Sequence, residues 1–255
     1  MKIERVNILG VGISALNLDL AKQAFVEAVR AKTKGYVCVT GVHGVMESQD
    51  DERLRAIHNQ AFLCTPDGMP MVWLGKLKGF KEMSRVYGPD LMLEIMEISR
   101  EQGIRHFFYG GANGVAQELK LRFEKRFPGI QIVGTYEPPF RPLNSEEERE
   151  LHRVLNETKP DVFWVGLSTP KQERFMAEYL PRFDVTLMVG VGAAFDFHSG
   201  SVKQAPRWIQ RSGLEWLFRF CMEPKRLWRR YLKNNPRFVY KVACQFFGIK
   251  KFALE

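Results

Sequence analysis

The feature that most constrains the fold is a regular alternation of short apolar runs with longer amphipathic runs between residues 19 and 190. The short runs are rich in β-branched and aromatic residues, which is typical of strands. The longer runs place Leu, Ala and Met three or four residues apart with charged residues opposite, which is typical of helices. Strands are predicted at 36–40, 62–65, 106–109, 131–135, 162–166 and 186–190, and helices at 19–32, 50–60, 90–102, 114–127, 145–158 and 171–180.

Alternating strands and helices pair through right-handed crossovers, which gives a parallel sheet covered by helices. We therefore predict an α/β fold over residues 1–200, with a Rossmann-like, mainly parallel sheet and helices on both faces. Ser145 and Glu148 have the spacing of a capping box at the start of one helix. Ligands of such folds bind beyond the carboxyl ends of the strands, so the loops that follow strands are where site residues are expected.

The pattern changes after about residue 200, where no further alternation is found. Residues 201–255 hold 13 Lys and Arg against 3 Glu, and three of the five Trp, whereas residues 1–200 are almost neutral. We predict a second module there, a basic, aromatic-rich helical C-terminal appendage. Such a segment is typical of binding to an anionic membrane surface, and nucleic-acid binding is the alternative.

The N-terminal residues lack the pattern of a secretory signal, and no run approaches the ~18 apolar residues of a membrane span. We therefore expect a cytoplasmic protein. The five His and four Cys show no metal-ligand spacing, so no metal site is predicted.

Gly10, Gly12 and Ala15 match the G-x-G-x-x-A spacing of dinucleotide-binding loops after an apolar run. A nicotinamide site also needs an acidic residue at the end of the next strand, and that strand ends at Thr40. An NAD-dependent oxidoreductase is therefore kept only as an alternative.

Two loops that follow predicted strands hold candidate site residues. Asp67, in Thr65-Pro66-Asp67-Gly68, places a carboxylate at the ligand edge of the sheet, where it could act as a general base, although Pro-Asp-Gly is also an ordinary turn. Gly110 and Gly111 lie between a strand and a helix, where backbone amides can approach a phosphate. A tight strand-to-helix turn is the equally favoured alternative.

The appendage holds arginines at spacings that bring several guanidinium groups to one side of a helix, although Pro224 is expected to interrupt it. They are Arg219, Arg226, Arg229 and Arg230. Guanidinium groups match phosphate oxygens in two-point hydrogen bonding. A solvated basic face is the alternative, but it leaves the interleaved aromatic residues unexplained.

These motifs together resemble the WecG/TagA/CpsF family of bacterial glycosyltransferases from about residue 8 to residue 231. The matching segments are Val39-Thr40, Thr65-Pro66-Asp67-Gly68, Arg85-Val86-Tyr87-Gly88-Pro89-Asp90, Gly110-Gly111, Gly166-Leu167 with Pro170, Gln172 and Glu173, Gly190-Val191-Gly192-Ala193-Ala194-Phe195-Asp196, Ala205-Pro206, Gly213-Leu214-Glu215-Trp216 and Glu223-Pro224.

The resemblance implies an inverting, metal-independent glycosyltransferase without a cofactor. Such an enzyme moves a hexosyl group, N-acetylmannosaminyl-type or glucosyl, from a UDP-sugar to a polyprenyl-diphosphate-linked saccharide in cell-wall or exopolysaccharide synthesis. It implies a peripheral position on the inner face of the cell membrane, and an appendage at 201–255 that meets the membrane and completes the active site. No nucleic-acid partner is expected, and a homo-oligomer is left open.

The resemblance also implies roles for individual residues. Asp67 is the general base, and Thr40, Arg85 and Gln172 are polar residues of the reaction pocket. Arg219, Arg226 and Arg229 close over the diphosphate, and Gly110, Gly111, Gly190, Gly192 and Asp196 belong to the substrate-binding loops. Many members have Asn at the position of Val42, so this departure leaves the donor sugar undecided.

Overall fold

The structure is a computed structural model that describes residues 3–111 and 113–254. Its strands are β1 (Arg5–Ile8), β2 (Val11–Ser14), β3 (Gly35–Thr40), β4 (Leu63–Pro66), β5 (Arg105–Gly110), β6 (Gln131–Tyr136), β7 (Val162–Gly166) and β8 (Leu187–Gly190). Its helices are α1 (Leu18–Arg30), α2 (Val42–Asp50), α3 (Glu52–Gln60), α4 (Met69–Leu77), α5 (Gly88–Gln102), α6 (Val115–Arg126), α7 (Ser145–Thr158), α8 (Lys171–Tyr179), α9 (Ala194–Ser199), α10 (Arg207–Arg211), α11 (Glu215–Met222) and α12 (Pro224–Phe246).

The main sheet has the strand order β4-β3-β8-β7-β5-β6. The pairs β3–β8, β8–β7, β7–β5 and β5–β6 are parallel, and helices such as α6, α7 and α8 contact the strands. The predicted α/β fold with a mainly parallel sheet is therefore confirmed. Gly110 pairs with Gly166, and Val165 with Gly190, so the carboxyl ends of β5, β7 and β8 meet at one edge.

The described chain forms two compact units. The first unit comprises Met1–Asn17, Val39–Tyr87 and Lys203–Glu255, and the second comprises Leu18–Cys38 and Gly88–Val202. The change in composition near residue 200 therefore lies close to a unit boundary. The residues beyond it belong to the same unit as Asp67.

The core of the second unit is built on buried aromatic side chains. Phe107 stacks on Phe163 with 5.4 Å between ring centroids, and Tyr109 stacks on Phe175 at 4.5 Å. The indole Nε1 of Trp164 donates a hydrogen bond to Nδ1 of His106 at 3.0 Å. Burial lowers the pKa of His106 to about 3, so this histidine is a neutral core residue.

The first unit begins with an antiparallel hairpin of β1 and β2. Leu9 and Gly10 turn the chain with positive φ angles of 53° and 80°, and Asn59 bonds to Gly10 and Gly12 of the same hairpin. The interpretation of Gly10, Gly12 and Ala15 as a dinucleotide-binding loop is wrong, because no helix begins at this turn and its amides face Asn7 and Asn59.

Helices α11 and α12 lie against each other in the first unit, with Trp216 and Tyr231 in edge contact at 5.6 Å. Pro224 is in the first turn of α12, so the predicted interruption by this proline is confirmed.

Helix α12 is also joined to α2, because Arg237 and Lys233 of α12 contact the Asp50 carboxylate of α2 at 2.7 and 3.3 Å. The hydrogen bond from Arg237 is the main cause that lowers the pKa of Asp50.

Three local features differ from the sequence predictions. The capping box of α7 is formed by Asn144 and Glu147, one residue before the predicted Ser145 and Glu148, because the Asn144 side chain accepts hydrogen bonds from two first-turn amides.

Two helices were not predicted. Helix α2 has Gly44 in its first turn and little hydrophobic periodicity, and α4 is apolar on most faces. Neither helix shows the amphipathic spacing that predicts helices, so both were missed.

Replacing Gly110 with Ala should destabilise the fold through a backbone clash. An added Cβ would lie 2.6 Å from the carbonyl oxygen of Gly166, whereas a Cβ on Gly129 would meet nothing within 4 Å. Both glycines have positive φ, so Gly129→Ala controls for backbone strain. We expect Gly110→Ala to cost about 1–3 kcal/mol more than the control, which is several degrees of melting temperature. Equal melting temperatures would contradict this packing role.

Candidate active site

Asp67 lies in the loop that joins β4 to α4, directly after a buried strand. Its backbone N–H donates to the Thr40 carbonyl at 3.1 Å, and Gly68 is the N-cap of α4. Its Oδ2 lies 3.6 Å from the point where a Cβ of Gly41 would stand. The half-buried carboxylate therefore sits over the glycine that follows β3, at the carboxyl ends of two strands.

Arg85 connects the Asp67 loop with α11. Its Nε donates to the backbone carbonyl of Asp67, and its Nη2 donates to Oε2 of Glu215 at 2.5 Å. The side chains of Arg85 and Glu215 are only 15% and 13% exposed, so the ion pair is largely removed from solvent. Burial lowers the pKa of Arg85, but the carboxylates of Asp67 and Glu215 outweigh it and the pKa is raised.

Tyr87 completes this group beneath the guanidinium of Arg85, which lies 4.0 Å from the ring centroid. Burial raises the pKa of Tyr87, and the charges of Glu215 and Asp67 raise it further. The phenol is therefore protonated at neutral pH. We refer to Asp67, Arg85, Tyr87 and Glu215 as the Asp67 cluster.

Arg230 of α12 brings a further positive charge to the Asp67 cluster. Its side chain is half-buried, and in the part of the chain that the structure describes its buried Nε has no hydrogen-bond partner. Burial lowers the pKa of Arg230, the positive charges of Arg219 and Arg226 lower it further, and the charge of Asp67 acts in the opposite direction. A cation in this environment is stabilised when an anion pairs with it.

The predicted arginines of the appendage differ in their surroundings. Arg219 is half-buried and lies close enough to Arg230 and Tyr231 to influence both pKa values. Arg226 is exposed and bonds to Glu223 at 2.5 Å, and Arg229 is exposed with its guanidinium 5.2 Å from the Trp228 ring centroid. Arg219 and Arg230 are therefore the inward members of this set.

The Thr40 side chain is buried behind the Asp67 loop. Its Oγ1 accepts a hydrogen bond from the Cys64 thiol at 3.3 Å, and only 1% of the residue is exposed. Thr40 reaches Asp67 through its backbone carbonyl. In this structure Thr40 positions the loop, and a contact of its hydroxyl with substrate stays a prediction.

Gln172 is buried in the second unit beneath the loop that follows β8. Its Nε2 donates to Oε1 of Glu173 at 3.1 Å. A Cβ on Gly190 would stand 3.1 Å from the Gln172 amide, and one on Gly192 would stand 3.5 Å from its Oε1. This Oε1 has no hydrogen-bond partner among the described residues. The structure thus brings Gln172, Gly190 and Gly192 together.

The other predicted loop residues of the second unit, Gly110, Gly111 and Asp196, make contacts of a different kind. The Gly111 amide donates to the Gly166 carbonyl at 3.3 Å, and Gly110 packs on the same backbone. These contacts favour the tight-turn interpretation of the two glycines. Asp196 is half-buried in the first turn of α9, where its carbonyl accepts from the Val202 amide at 3.1 Å.

Glu215 and Tyr87 are members of the Asp67 cluster to which the sequence assigned no role. Both lie in segments that carry the family resemblance, but their spacing alone predicts no contact with Asp67. Glu215 is one of only 3 acidic residues in an otherwise basic segment. An acidic residue among so many basic ones is the sequence signal that could have indicated a role for Glu215.

Two kinds of feature are absent from the described residues, 3–111 and 113–254. No group of three or more His, Cys, Asp or Glu side chains is placed to hold a metal ion. No helix there combines the length and the apolar character needed to cross a membrane.

Comparison with known proteins shows the family of this chain. The model of the glycosyl transferase WecG/TagA/CpsF family matches residues 6–251. An N-acetylglucosaminyldiphosphoundecaprenol N-acetyl-beta-D-mannosaminyltransferase of Bacillus spizizenii is 34% identical over 83% of this chain and 80% of that relative.

Proteins of the same name are similar in two further organisms. The one from Bacillus subtilis is 30% identical over 73% of this chain and 70% of its own length. The one from Staphylococcus aureus strain MW2 is 30% identical over 76% of this chain and 73% of its own length. The alternatives of a nucleic-acid-binding protein and an oxidoreductase gain no support from these matches. This chain, whose Asp67 loop is held by Arg85, belongs to the WecG/TagA/CpsF family and is a glycosyltransferase.

Proposed function

We propose that this enzyme transfers a hexosyl group from a UDP-sugar to a polyprenyl-diphosphate-linked saccharide in cell-wall or exopolysaccharide synthesis. The names of the relatives support this proposal, because they specify an N-acetylmannosaminyl group and an undecaprenyl-diphosphate-linked N-acetylglucosamine acceptor. An N-acetylmannosaminyl-type or a glucosyl group is proposed for the donor. Both sugars are kept because Val42, at the first position of α2, stands where many family members have Asn.

The observation that carries the proposal is the half-buried Asp67 carboxylate close to two guanidinium groups, those of Arg85 and Arg230. In the reaction, Asp67 removes the proton from the acceptor hydroxyl, and the hydroxyl oxygen forms a bond to the anomeric carbon of the donor. The bond between that carbon and the diphosphate breaks, and UDP leaves with the electron pair. Because the acceptor attacks opposite the leaving group, the configuration is inverted.

Arginines supply the positive charge that the departing diphosphate requires. Arg219 and Arg230 lie beside the Asp67 cluster, and Arg226 and Arg229 stand on the exposed side of α12. Preorganised cations of this kind stabilise negative charge that develops on a leaving group. We propose that they do so without a metal ion, and that Gln172, Gly190, Gly192 and Asp196 contribute to substrate binding from their own unit.

The appendage also supports a proposed peripheral attachment to an anionic membrane surface. Large apolar side chains are exposed among its basic residues: Trp208 by 68%, Trp216 by 41%, Leu217 by 41%, Trp228 by 44% and Leu232 by 67%. Basic residues attract anionic headgroups, and aromatic residues favour the membrane interface. A lipid-linked acceptor would then reach the enzyme at the cytoplasmic face.

Asp67→Asn should abolish transfer and leave UDP binding intact, because the amide cannot accept the hydroxyl proton. Removal of a general base lowers kcat by about 10²–10⁴. Turnover measured with UDP-sugar and lipid-linked acceptor, beside calorimetry with UDP, separates the two effects. Asp19→Asn is the matched control, because this carboxylate is 81% exposed in the other unit. Wild-type turnover of Asp67→Asn would refute the proposed mechanism.

Arg219→Ala and Arg230→Ala should each weaken UDP binding by about 10- to 100-fold, since each loses a hydrogen bond between charged groups. Lys225→Ala removes one positive charge from the first turn of α12 and should bind UDP like the parent protein.

The affinity of the parent protein for UDP should be the same with and without EDTA. Loss of UDP binding in EDTA would show that a metal ion, and not the arginines, holds the diphosphate.

The double variant Trp208→Glu with Leu232→Glu should lose most of its binding to vesicles that contain phosphatidylglycerol, and should keep its affinity for UDP. The new carboxylates repel anionic headgroups and remove apolar contact. Co-sedimentation with vesicles measures the loss. Leu121→Glu is the control, because Leu121 is 54% exposed on α6 of the other unit. Equal sedimentation of both variants would contradict attachment through the appendage.

A further inference from the structure

Two carboxylates act on one half-buried guanidinium in the Asp67 cluster. The charges of Asp67 and Glu215 both raise the pKa of Arg85, and the same two charges act on Tyr87. Asp67 is the proposed base, whereas Glu215 takes no part in the proposed proton transfer.

The position of Glu215 in the first turn of α11 does not explain the low exposure of its carboxylate. An acidic residue in the first turn of a helix is favoured by the helix dipole, and such residues are usually solvated. The Glu215 carboxylate is instead only 13% exposed and bonds to Arg85 at 2.5 Å. A buried ion pair of this kind is sensitive to the loss of either partner, because the remaining charge is left uncompensated.

The charges that face Asp67 show what Glu215 offsets. Arg85 and Arg230 are cations that act on Asp67, Tyr87 is a protonated phenol, and Glu215 is the second anion of the cluster. A nearby guanidinium stabilises a carboxylate in its ionised form and makes it a weaker base. Without Glu215, the Asp67 carboxylate would face two guanidinium groups alone.

We propose that Glu215 is a positioning residue that holds Arg85 against the Asp67 loop and offsets its charge, so that Asp67 keeps enough basicity to accept the acceptor proton. Arg85 then serves two partners: its Nε fixes the backbone of Asp67, and its Nη2 is held by Glu215. This links α11 of the appendage to the reacting group through one side chain. The inference rests on the proposed function of Asp67.

The test is the pH dependence of kcat/KM for Glu215→Gln in the full chain. The acid limb of this profile reports ionisation of the essential base in the unliganded enzyme. Glutamine keeps an oxygen that accepts from Arg85 but lacks the charge, so Asp67 ionises more readily. We expect the acid limb to move to lower pH by about one unit and the plateau to fall by about 3- to 10-fold as the base weakens, with unchanged UDP affinity.

Two further variants separate charge from structure. Glu215→Asp keeps the charge, so its acid limb should stay at the parental pH even where the plateau falls. Glu52→Gln removes a carboxylate that is 90% exposed in the same unit, and should keep the parental profile. A Glu215→Gln enzyme whose acid limb does not move overturns the proposal, whether its plateau is parental or reduced.

Asp67→Asn distinguishes this failure from failure of the proposed function. If Asp67→Asn is inactive and the acid limb of Glu215→Gln is unmoved, only the role of Glu215 is refuted. If Asp67→Asn turns over like the parent enzyme, Asp67 is not the base and both proposals fall.

Discussion

Burial of the Arg85 guanidinium is the constraint on which the arrangement around Asp67 depends. A buried cation needs anionic or carbonyl partners on its donors, and Arg85 finds them in the Asp67 backbone and in Glu215. The first partner fixes the loop after β4, and the second fixes the start of α11. The carboxylate, the phenol of Tyr87 and the appendage are thereby brought to one place in the first unit. Arg230 adds a positive charge to the same place with its Nε unsatisfied within the described protein, which suits a site that receives a diphosphate.

Most of the sheet could be predicted from the sequence because its strands and helices differ in hydrophobic period. The strands β3, β4, β5, β7 and β8 are largely buried runs, and helices such as α5 and α7 have one apolar face, so each type is visible locally. The same reasoning failed for α4, which is apolar on most sides. It also failed for the β1–β2 hairpin, where Gly10 forms a turn and is not part of a phosphate-binding loop. Helix α4 lacks the amphipathic spacing that predicts a helix. The glycine spacing of the hairpin was compatible with two structures, and its contacts with Asn59 decided between them.

The candidate site was only partly predictable for a related reason. Asp67 follows a strand, so the rule that ligands bind beyond the carboxyl ends of strands was enough to single it out. Glu215 is 130 residues away from Arg85 in the chain, and no local pattern reports a contact over that distance. The arginines were predicted as a group from their spacing, but the difference between inward Arg219 and exposed Arg229 depends on how α11 and α12 pack. The roles of Gln172, Gly190, Gly192 and Asp196 stay predictions.

The first unit is assembled from three separate stretches of chain, and this has a consequence for synthesis in the cell. During translation, residues 39–87 leave the ribosome well before residues 203–254, with most of the second unit made in between. Domains generally fold as their sequence becomes available, so the second unit has all its residues first. Until α11 emerges, Arg85 lacks its carboxylate partner. The unit that holds Asp67 is therefore completed last, and a prematurely terminated polypeptide would carry the sheet without an assembled reaction centre.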